Sequence, residues 1–307
     1  MRHLSPATLA HILLLGVVLV WGATFTLVKD ALRDASPLVF NLLRMSLAFL
    51  ALALVNHRKL RHISRRALVS GTVVGIFLAA GYQFQTLGLA RTTPAKSAFI
   101  TGLVVIFVPI FTTIPALRPL GTHAPRWTTI IGAVCAFAGL LLLTTPVGTH
   151  LNDIFSNMGA GDLLTLACAL AFAGHLLALA HASPGLPATH LATVQIGAAA
   201  LVMALTLPFA GKPHLAITPR LMIALAVTSF LATAAAFTIQ SWAQQHLPPT
   251  HTALILTLEP VFAYLTSLLF LHEHLGTRAL VGAALILAGI AFTELLAMPA
   301  PLPTHPV

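Results

Sequence analysis

Charge is what this sequence has least of. Its 307 residues include 16 Lys and Arg and only 7 Asp and Glu, so 7% are charged, against about 25% in a typical soluble domain. Twenty-three charged side chains cannot cover the surface of a water-soluble protein of this size. The scarcity of acids also excludes whole classes of chemistry. Asp153 and Asp162 are too few for a two-metal site, and neither H-E-x-x-H nor G-x-S-x-G occurs, so no catalytic constellation supports a hydrolase or transferase. An intramembrane enzyme and a receptor are the rival classes, and the reading is not an enzyme. The two cysteines, Cys135 and Cys168, each sit inside an apolar run. They read as small packing residues rather than a disulfide framework.

What is abundant is apolar: 58% of residues are hydrophobic and the mean hydropathy is +0.94. The solvent for most of this surface is lipid. A formal charge of +9 does not point to nucleic acid, because the basic residues form short clusters between apolar runs instead of a patch interleaved with aromatics. No nucleic-acid partner and no cofactor are expected.

A spanning helix needs about 20 apolar residues. Candidate spans fall at 9–28, 37–55, 67–89, 96–116, 128–146, 161–181, 189–209, 220–243, 250–271 and 279–297, ten in all. The first run is longer than the roughly 7–15 apolar residues of a signal peptide, and it reads as a retained span. Punctuation falls between the runs, as at Ser36-Pro37, Thr93-Pro94 and Pro248-Pro249. The tail 298–307 is Pro-rich and reads as disordered. The loop after the second span holds Arg58, Lys59, Arg61, Arg65 and Arg66. The positive-inside rule puts it in the cytoplasm, and with it both termini. Lys29, Arg33, Lys212 and Arg220 then face outward against the rule. For the first two, Asp30 and Asp34 are the expected neutralising partners.

The sequence repeats itself. Pro109 and Pro260 stand 151 residues apart, as do Trp21 and Phe172, and Arg44 and Gln195; Gly132 and Gly139 recur as Gly282 and Gly289, 150 residues on. Five spans per half is an odd number, so the second half enters the membrane from the opposite side. In transporters such inverted repeats put the substrate site at their interface near the midplane.

The repeated pieces also carry a resemblance. The stretch Tyr82-Gln83-Phe84-Gln85-Thr86-Leu87-Gly88-Leu89, the segment Lys96 to Leu103, Phe107-Val108-Pro109, Trp21-Gly22, Arg44, Leu258-Glu259-Pro260-Val261-Phe262-Ala263, Glu273 and the last glycine-bearing span resemble EamA-type transporters of the drug/metabolite transporter superfamily. The resemblance covers roughly residues 9–297. It implies an all-α membrane protein of ten helices, a first repeat at 9–146 and a second at 161–297 with inverted topology, and a central cavity. It also implies export of amino acids, related metabolites or drugs. One departure stands out: the acid expected after the fourth span, the counterpart of Glu273, is missing from Ala116-Leu117-Arg118-Pro119-Leu120.

Arg44 lies near the middle of its span. A midplane cation costs about 2.5–3.5 kcal/mol on insertion scales and demands a partner or a watered cavity. It reads either as a cation for a substrate carboxylate or as a structural Arg on helix carbonyls. Glu259 lies at similar depth beside Pro260 and reads either as a proton carrier or amine anchor, or as a neutral acid bonded between helices. Pro109 and Pro260 each remove a backbone donor, marking hinges or kinks. Trp21, Tyr82, Gln85, His175, Gln240 and Trp242 are polar or amphipathic groups inside apolar spans and complete the candidate cavity wall. Against this stand an interfacial belt for Trp242 and a satisfied core histidine for His175. His272-Glu273-His274 falls short of the three or four ligands of a zinc site, so no metal is expected. The expectation is therefore a multi-pass exporter of the cell (inner) membrane, working by alternating access on a small molecule, with protons as the candidate coupling ion and a monomer as the default assembly.

Overall fold

The computed structural model describes residues 5–92, 94–120, 122–144, 148, 158–209, 212–262, 265 and 276–296. Residues 271–275, which hold the His-Glu-His triplet, and the tail 298–307 lie outside the described residues. The described chain is built from helices: α1 (Pro6–Ala31), α2 (Pro37–Val55), α3 (Arg65–Leu89), α4 (Pro94–Thr101), α5 (Val104–Thr113), α6 (Trp127–Thr144), α7 (Ala160–Ala182), α8 (Ala188–Thr206), α9 (Pro219–Ala243), α10 (Pro249–Leu256) and α11 (Thr277–Leu296).

The starts are written locally. Ser5, Ser64 and Thr218 each accept a backbone N–H from three residues on, satisfying one of the orphan donors of a helix N-terminus. Pro6, Pro37, Pro219 and Pro249 occupy first-turn positions, where the missing N–H costs nothing.

Among the described residues six helices are long and apolar enough to cross a membrane: those at 6–24, 37–55, 65–89, 160–182, 188–209 and 219–243. Three shorter apolar stretches, Phe99–Thr113, Trp127–Leu142 and Thr277–Thr293, accompany them. The expected fourth span is two helices, because the chain turns at Gly102–Leu103 between α4 and α5. Of the expected ninth, residues 250–262 and 265 are described, with a turn at Thr257–Leu258 after α10. Large apolar side chains such as Leu19, Val69, Leu201 and Leu205 stand exposed on the outside of the bundle, a surface suited to acyl chains and not to water.

Packing links the front of the chain to its back. α3 packs on α7 and α8, α9 packs on α1 and α2, α2 packs on α8, and α6 packs on α11. The α6–α11 contact is made by the repeated glycines. A Cβ on Gly289 would stand 2.6 Å from the Gly132 carbonyl oxygen, one on Gly132 would stand 2.7 Å from that of Gly289, and one on Gly139 would stand 2.5 Å from that of Gly282. The pairs 132–289 and 139–282 run in opposite senses, so the two helices lie antiparallel with backbones in near contact. Cys135 packs in the same seam, its Cβ facing Gly289.

At one end of the bundle the α1–α2 and α8–α9 loops are clasped together. Ser36 N–H donates to the His214 carbonyl, and Ala216 N–H donates to that of Asp34. Asp34 accepts from Thr218 Oγ1 at 2.6 Å and from Arg220 Nε and Nη2 at 2.8 and 2.7 Å. Asp34 therefore neutralises Arg220, not Arg33 as its position in the sequence suggested; Arg33 lies 3.9 Å from Asp30. The bidentate Arg220 contact and the Thr218 hydroxyl hold the Asp34 carboxyl below its usual range, at about 2. At the other end, the α7–α8 turn meets the α2–α3 loop through His190 Nε2 on the Lys59 carbonyl (3.1 Å) and Arg66 donating to the Pro184 carbonyl (3.4 Å).

Candidate functional site

The π-helical stretch Val227–Ala235 within α9 organises the centre of the bundle. π-Helix is rare and gathers at functional sites. Here its i→i+5 bonding re-aims carbonyls: Ala236 N–H reaches back to Leu231 instead of to Ala232. The Ala232 carbonyl is taken by two side chains from the first half of the chain, Trp21 Nε1–H at 2.8 Å and Arg44 Nη2 at 3.1 Å.

Arg44 is buried, at 5% exposure. Its Nε donates to Thr233 Oγ1 at 2.7 Å and its Nη2 to the Tyr82 hydroxyl at 3.0 Å. The guanidinium also lies over the Tyr82 ring, 4.5 Å from its centroid, a cation–π contact. Around this group the aromatic rings interlock. Tyr82 meets Phe172 edge-on at 5.5 Å and Phe237 at 6.1 Å, and Trp21 meets Phe237 at 5.6 Å. Asn41 fixes the backbone below, donating to the Tyr82 carbonyl and to Thr86 Oγ1.

Glu259 stands close enough to Arg44, Tyr82 and Cys168 to interact with each electrostatically. It makes no ion pair with Arg44, and among the described residues it has no hydrogen-bond partner; its side chain is partly exposed. The arrangement is a cation held by neutral acceptors at Nε and Nη2, beside a carboxyl that has no hydrogen-bond partner among the described residues.

A second polar chain lies further along α9. His175 Nε2 and Gln195 Oε1 are 2.9 Å apart, Gln195 Nε2 donates to Ser241 Oγ, and Ser241 donates to the Phe237 carbonyl. His175 is buried against the Phe237 ring at 5.6 Å. Gln240 is also buried, with its Oε1 unpaired among the described residues.

Of the residues expected from the sequence, the structure brings together Trp21, Arg44 and Tyr82 around Ala232, with Glu259 in electrostatic range and His175 in contact through Phe237. Gln85 is partly exposed, with no hydrogen-bond partner among the described residues. Trp242 lies apart, in the core formed by α1, α4, α6, α10 and α11, its ring 4.7 Å from that of His246. Pro109 sits inside α5, after the break at Gly102–Leu103. Pro260 stands two residues past Leu258, the end of the Thr257–Leu258 turn, with Glu259 between them. Residues the sequence did not single out are Thr233, Asn41, Thr86 and Ser241. Thr233 alone carried a signal, since it stands 151 residues after Tyr82, the same interval that relates Arg44 to Gln195.

Comparison with known proteins follows the same outline. The model of the EamA-like transporter family matches residues 8–145 and again 159–295. An uncharacterized transporter of Archaeoglobus fulgidus is 32% identical over 281 residues, covering 91% of this chain and 83% of its own. The uncharacterized transporter YoaV of Bacillus subtilis is 25% identical over 286 residues, covering 90% and 94%. A solved crystal structure, 17% identical, superposes with a TM-score of 0.77 over 94% of this chain and 99% of its own, a likeness of fold.

Proposed function

This chain belongs to the EamA-like transporter family and is a multi-pass membrane transporter, and from that premise we propose that it exports a small metabolite, an amino acid or a related compound, by alternating access through a site centred on Arg44. The observation that carries the reading is the meeting of Trp21, Arg44 and Tyr82 with the π-helical stretch of α9, a junction of two halves of the chain deep in the bundle.

The proposed architecture is ten helices in two inverted repeats, 9–146 and 161–297. Three observations support it. The family model matches twice. The helix pairings are exchanged into one another when the halves are swapped, α3 with α7 and α8 corresponding to α9 with α1 and α2. The glycines of α6 and α11 meet antiparallel, as an axis in the membrane plane requires. The proposed location is the cell (inner) membrane with both termini cytoplasmic, supported by the basic α2–α3 loop. Neutralisation of Arg220 by Asp34 removes one of the charges that opposed this orientation.

In the proposed mechanism, Arg44 attracts the substrate carboxylate, and Tyr82, Trp21 and the partly exposed Gln85 wall the site. Glu259, in electrostatic range of Arg44 and without a hydrogen-bond partner among the described residues, carries the coupling proton. Gln240 and Trp242 lie further along the path, and Pro109 and Pro260 sit in the interrupted fourth and ninth spans, where backbone can re-form as the halves rock. Purified protein in liposomes, offered a panel of radiolabelled amino acids with and without a pH gradient, tests this. Accumulation of one panel member in wild type, with its pH dependence abolished in Glu259→Gln, is the expected result. Flux that ignores the gradient makes the protein a uniporter. No flux of any amino acid from verified, folded protein removes that substrate class and moves the test to other metabolites and drugs.

A further inference from the structure

The α2–α3 loop concentrates cations at one end of the bundle. Between Asp34 and Asp153 the sequence holds no acidic residue, yet residues 57–66 hold Arg58, Lys59, Arg61, Arg65 and Arg66. All five are exposed. Arg66 donates to the Pro184 carbonyl; the side chains of the other four have no hydrogen-bond or ion-pair partner among the described residues. Three of these cations lie on the loop and Arg65 opens α3; crowded together they repel one another, and no acidic side chain among the described residues pairs with them.

Exposed aliphatic side chains stand beside these cations. Leu54 and Val55, the last residues of α2, are 73% and 80% exposed, and Leu68 and Val69, in the first turn of α3, are 45% and 57% exposed. Bare aliphatic side chains thus flank the cationic loop on both of its stems. Acyl chains cover such residues, and the phosphates of the same lipids then lie at the level of the loop. The loop is also held in shape. His57 Nδ1 lies 2.8 Å from the Leu54 carbonyl, residues 57–60 form a helical turn, and the Lys59 carbonyl is held by His190 of the other half of the chain. The cations are carried by an ordered element, so little conformational freedom is lost on binding.

We propose that the α2–α3 loop is a binding site for the headgroups of anionic phospholipids, which sit with phosphates on Arg58, Lys59, Arg61 and Arg65 and acyl chains against Leu54, Val55, Leu68 and Val69. Each cation near an anionic surface contributes a factor of roughly five in affinity, so removing three weakens headgroup binding on the order of a hundredfold at low salt.

The test places the full-length protein in nanodiscs of phosphatidylcholine with a minor fraction of phosphatidylglycerol of the same chains, and counts retained lipids by native mass spectrometry. Wild type is expected to retain phosphatidylglycerol well above its bulk fraction, less so at high salt. The variant Arg58→Gln/Lys59→Gln/Arg61→Gln is expected to lose the enrichment, whereas Arg58→Lys/Arg61→Lys keeps it. Lys29→Gln/Lys212→Gln, which lowers net charge at the opposite end, is expected to leave retention unchanged. Matching thermal unfolding of all variants establishes that they are folded. Retention in proportion to bulk composition in wild type overturns the proposal, as does enrichment that survives the triple Gln variant or falls equally in the control at the opposite end.

Discussion

The Ala232 carbonyl gives the most exacting test of the central cluster. It accepts from two side chains, Trp21 Nε1–H at 2.8 Å and Arg44 Nη2 at 3.1 Å, while Ala236 N–H is engaged with Leu231. Trp21→Phe removes one donor and keeps an aromatic ring against Phe237. With Arg44 still in place the carbonyl stays bonded, so the cost is that of one neutral bond inside a membrane, about 0.6–1 kcal/mol. Arg44→Met keeps much of the length and cannot donate. It forfeits the Thr233, Tyr82 and cation–π contacts, but Trp21 still holds the carbonyl. Only the double variant strips Ala232 of both. Losing both side-chain donors costs this buried carbonyl about 1–3 kcal/mol, so the double variant is expected to be less stable than the sum of the singles by about 1–2 kcal/mol. The losses that Arg44→Met causes elsewhere occur in both arms and cancel. Reversible unfolding in mixed lipid–detergent micelles, run on all four proteins under one set of conditions, measures the cycle. Singles that add to within about 0.5 kcal/mol refute the idea that the π-stretch is pinned through one shared carbonyl.

Three further perturbations follow from the same structure. Gly289→Ala places a methyl group 2.6 Å from the Gly132 carbonyl; α6 and α11 must part by several tenths of an ångström, destabilising the fold by about 1–3 kcal/mol. Gly132→Ala added to it costs less than it does alone, as one separation relieves both clashes, and the same unfolding assay reads this. Asp34, held near 2 in the fold against 3.8 for the free group, has a depressed folded-state pKa. The Asp34–Arg220 contribution is therefore fully present above 3.8 and lost as pH falls towards 2; Asp34→Asn is expected to flatten the pH dependence of thermal unfolding in that window and leave the remainder unchanged. Thr233→Val removes the acceptor of the 2.7 Å bond from Arg44 Nε, at a cost of about 1.5–3 kcal/mol for a bond to a charged group, and Thr233→Ser restores it.

The long spans were legible because an apolar run of that length has no other stable home, and the structure starts α2 at Pro37 and α3 at Arg65, close to where the runs begin. The break in the fourth span was not legible. Its only marker is Gly102, and a glycine in an apolar run equally signals close packing, which it also provides here against Leu140. At the centre, Trp21, Arg44 and Tyr82 could be picked out because a polar group in a span needs a partner. Their partners could not. Ala232 acts through its carbonyl, which leaves no trace in a sequence, and Thr233 is one of many threonines in apolar helices. The Asp34–Arg220 pair failed for a different reason: counting charges locally assigns Asp34 to its neighbour Arg33, whereas a contact across 186 residues exists only once the halves are folded together.

That contact also separates the two ends of the bundle. Exchanging the halves carries the α1–α2 and α8–α9 loops onto the α7–α8 and α2–α3 loops, so the two clasps occupy corresponding places. One has a bidentate ion pair, a bonded threonine and two backbone hydrogen bonds. The other has a histidine and an arginine on backbone carbonyls. A duplicated fold would make its ends equal if the sequence did, and the difference lies in where seven acids were spent: Asp34 is matched at the corresponding end by Gly185, a residue with no side chain to donate to. Under the proposed alternating access each clasp opens in turn, and a tenfold difference in the populations of the two closed ends corresponds to about 1.4 kcal/mol. Within that proposal, the scarcity of charge that marks the sequence leaves Asp34 as the one carboxylate that distinguishes the two clasps, and headgroups bound to the cations of the other loop would act in the opposite sense.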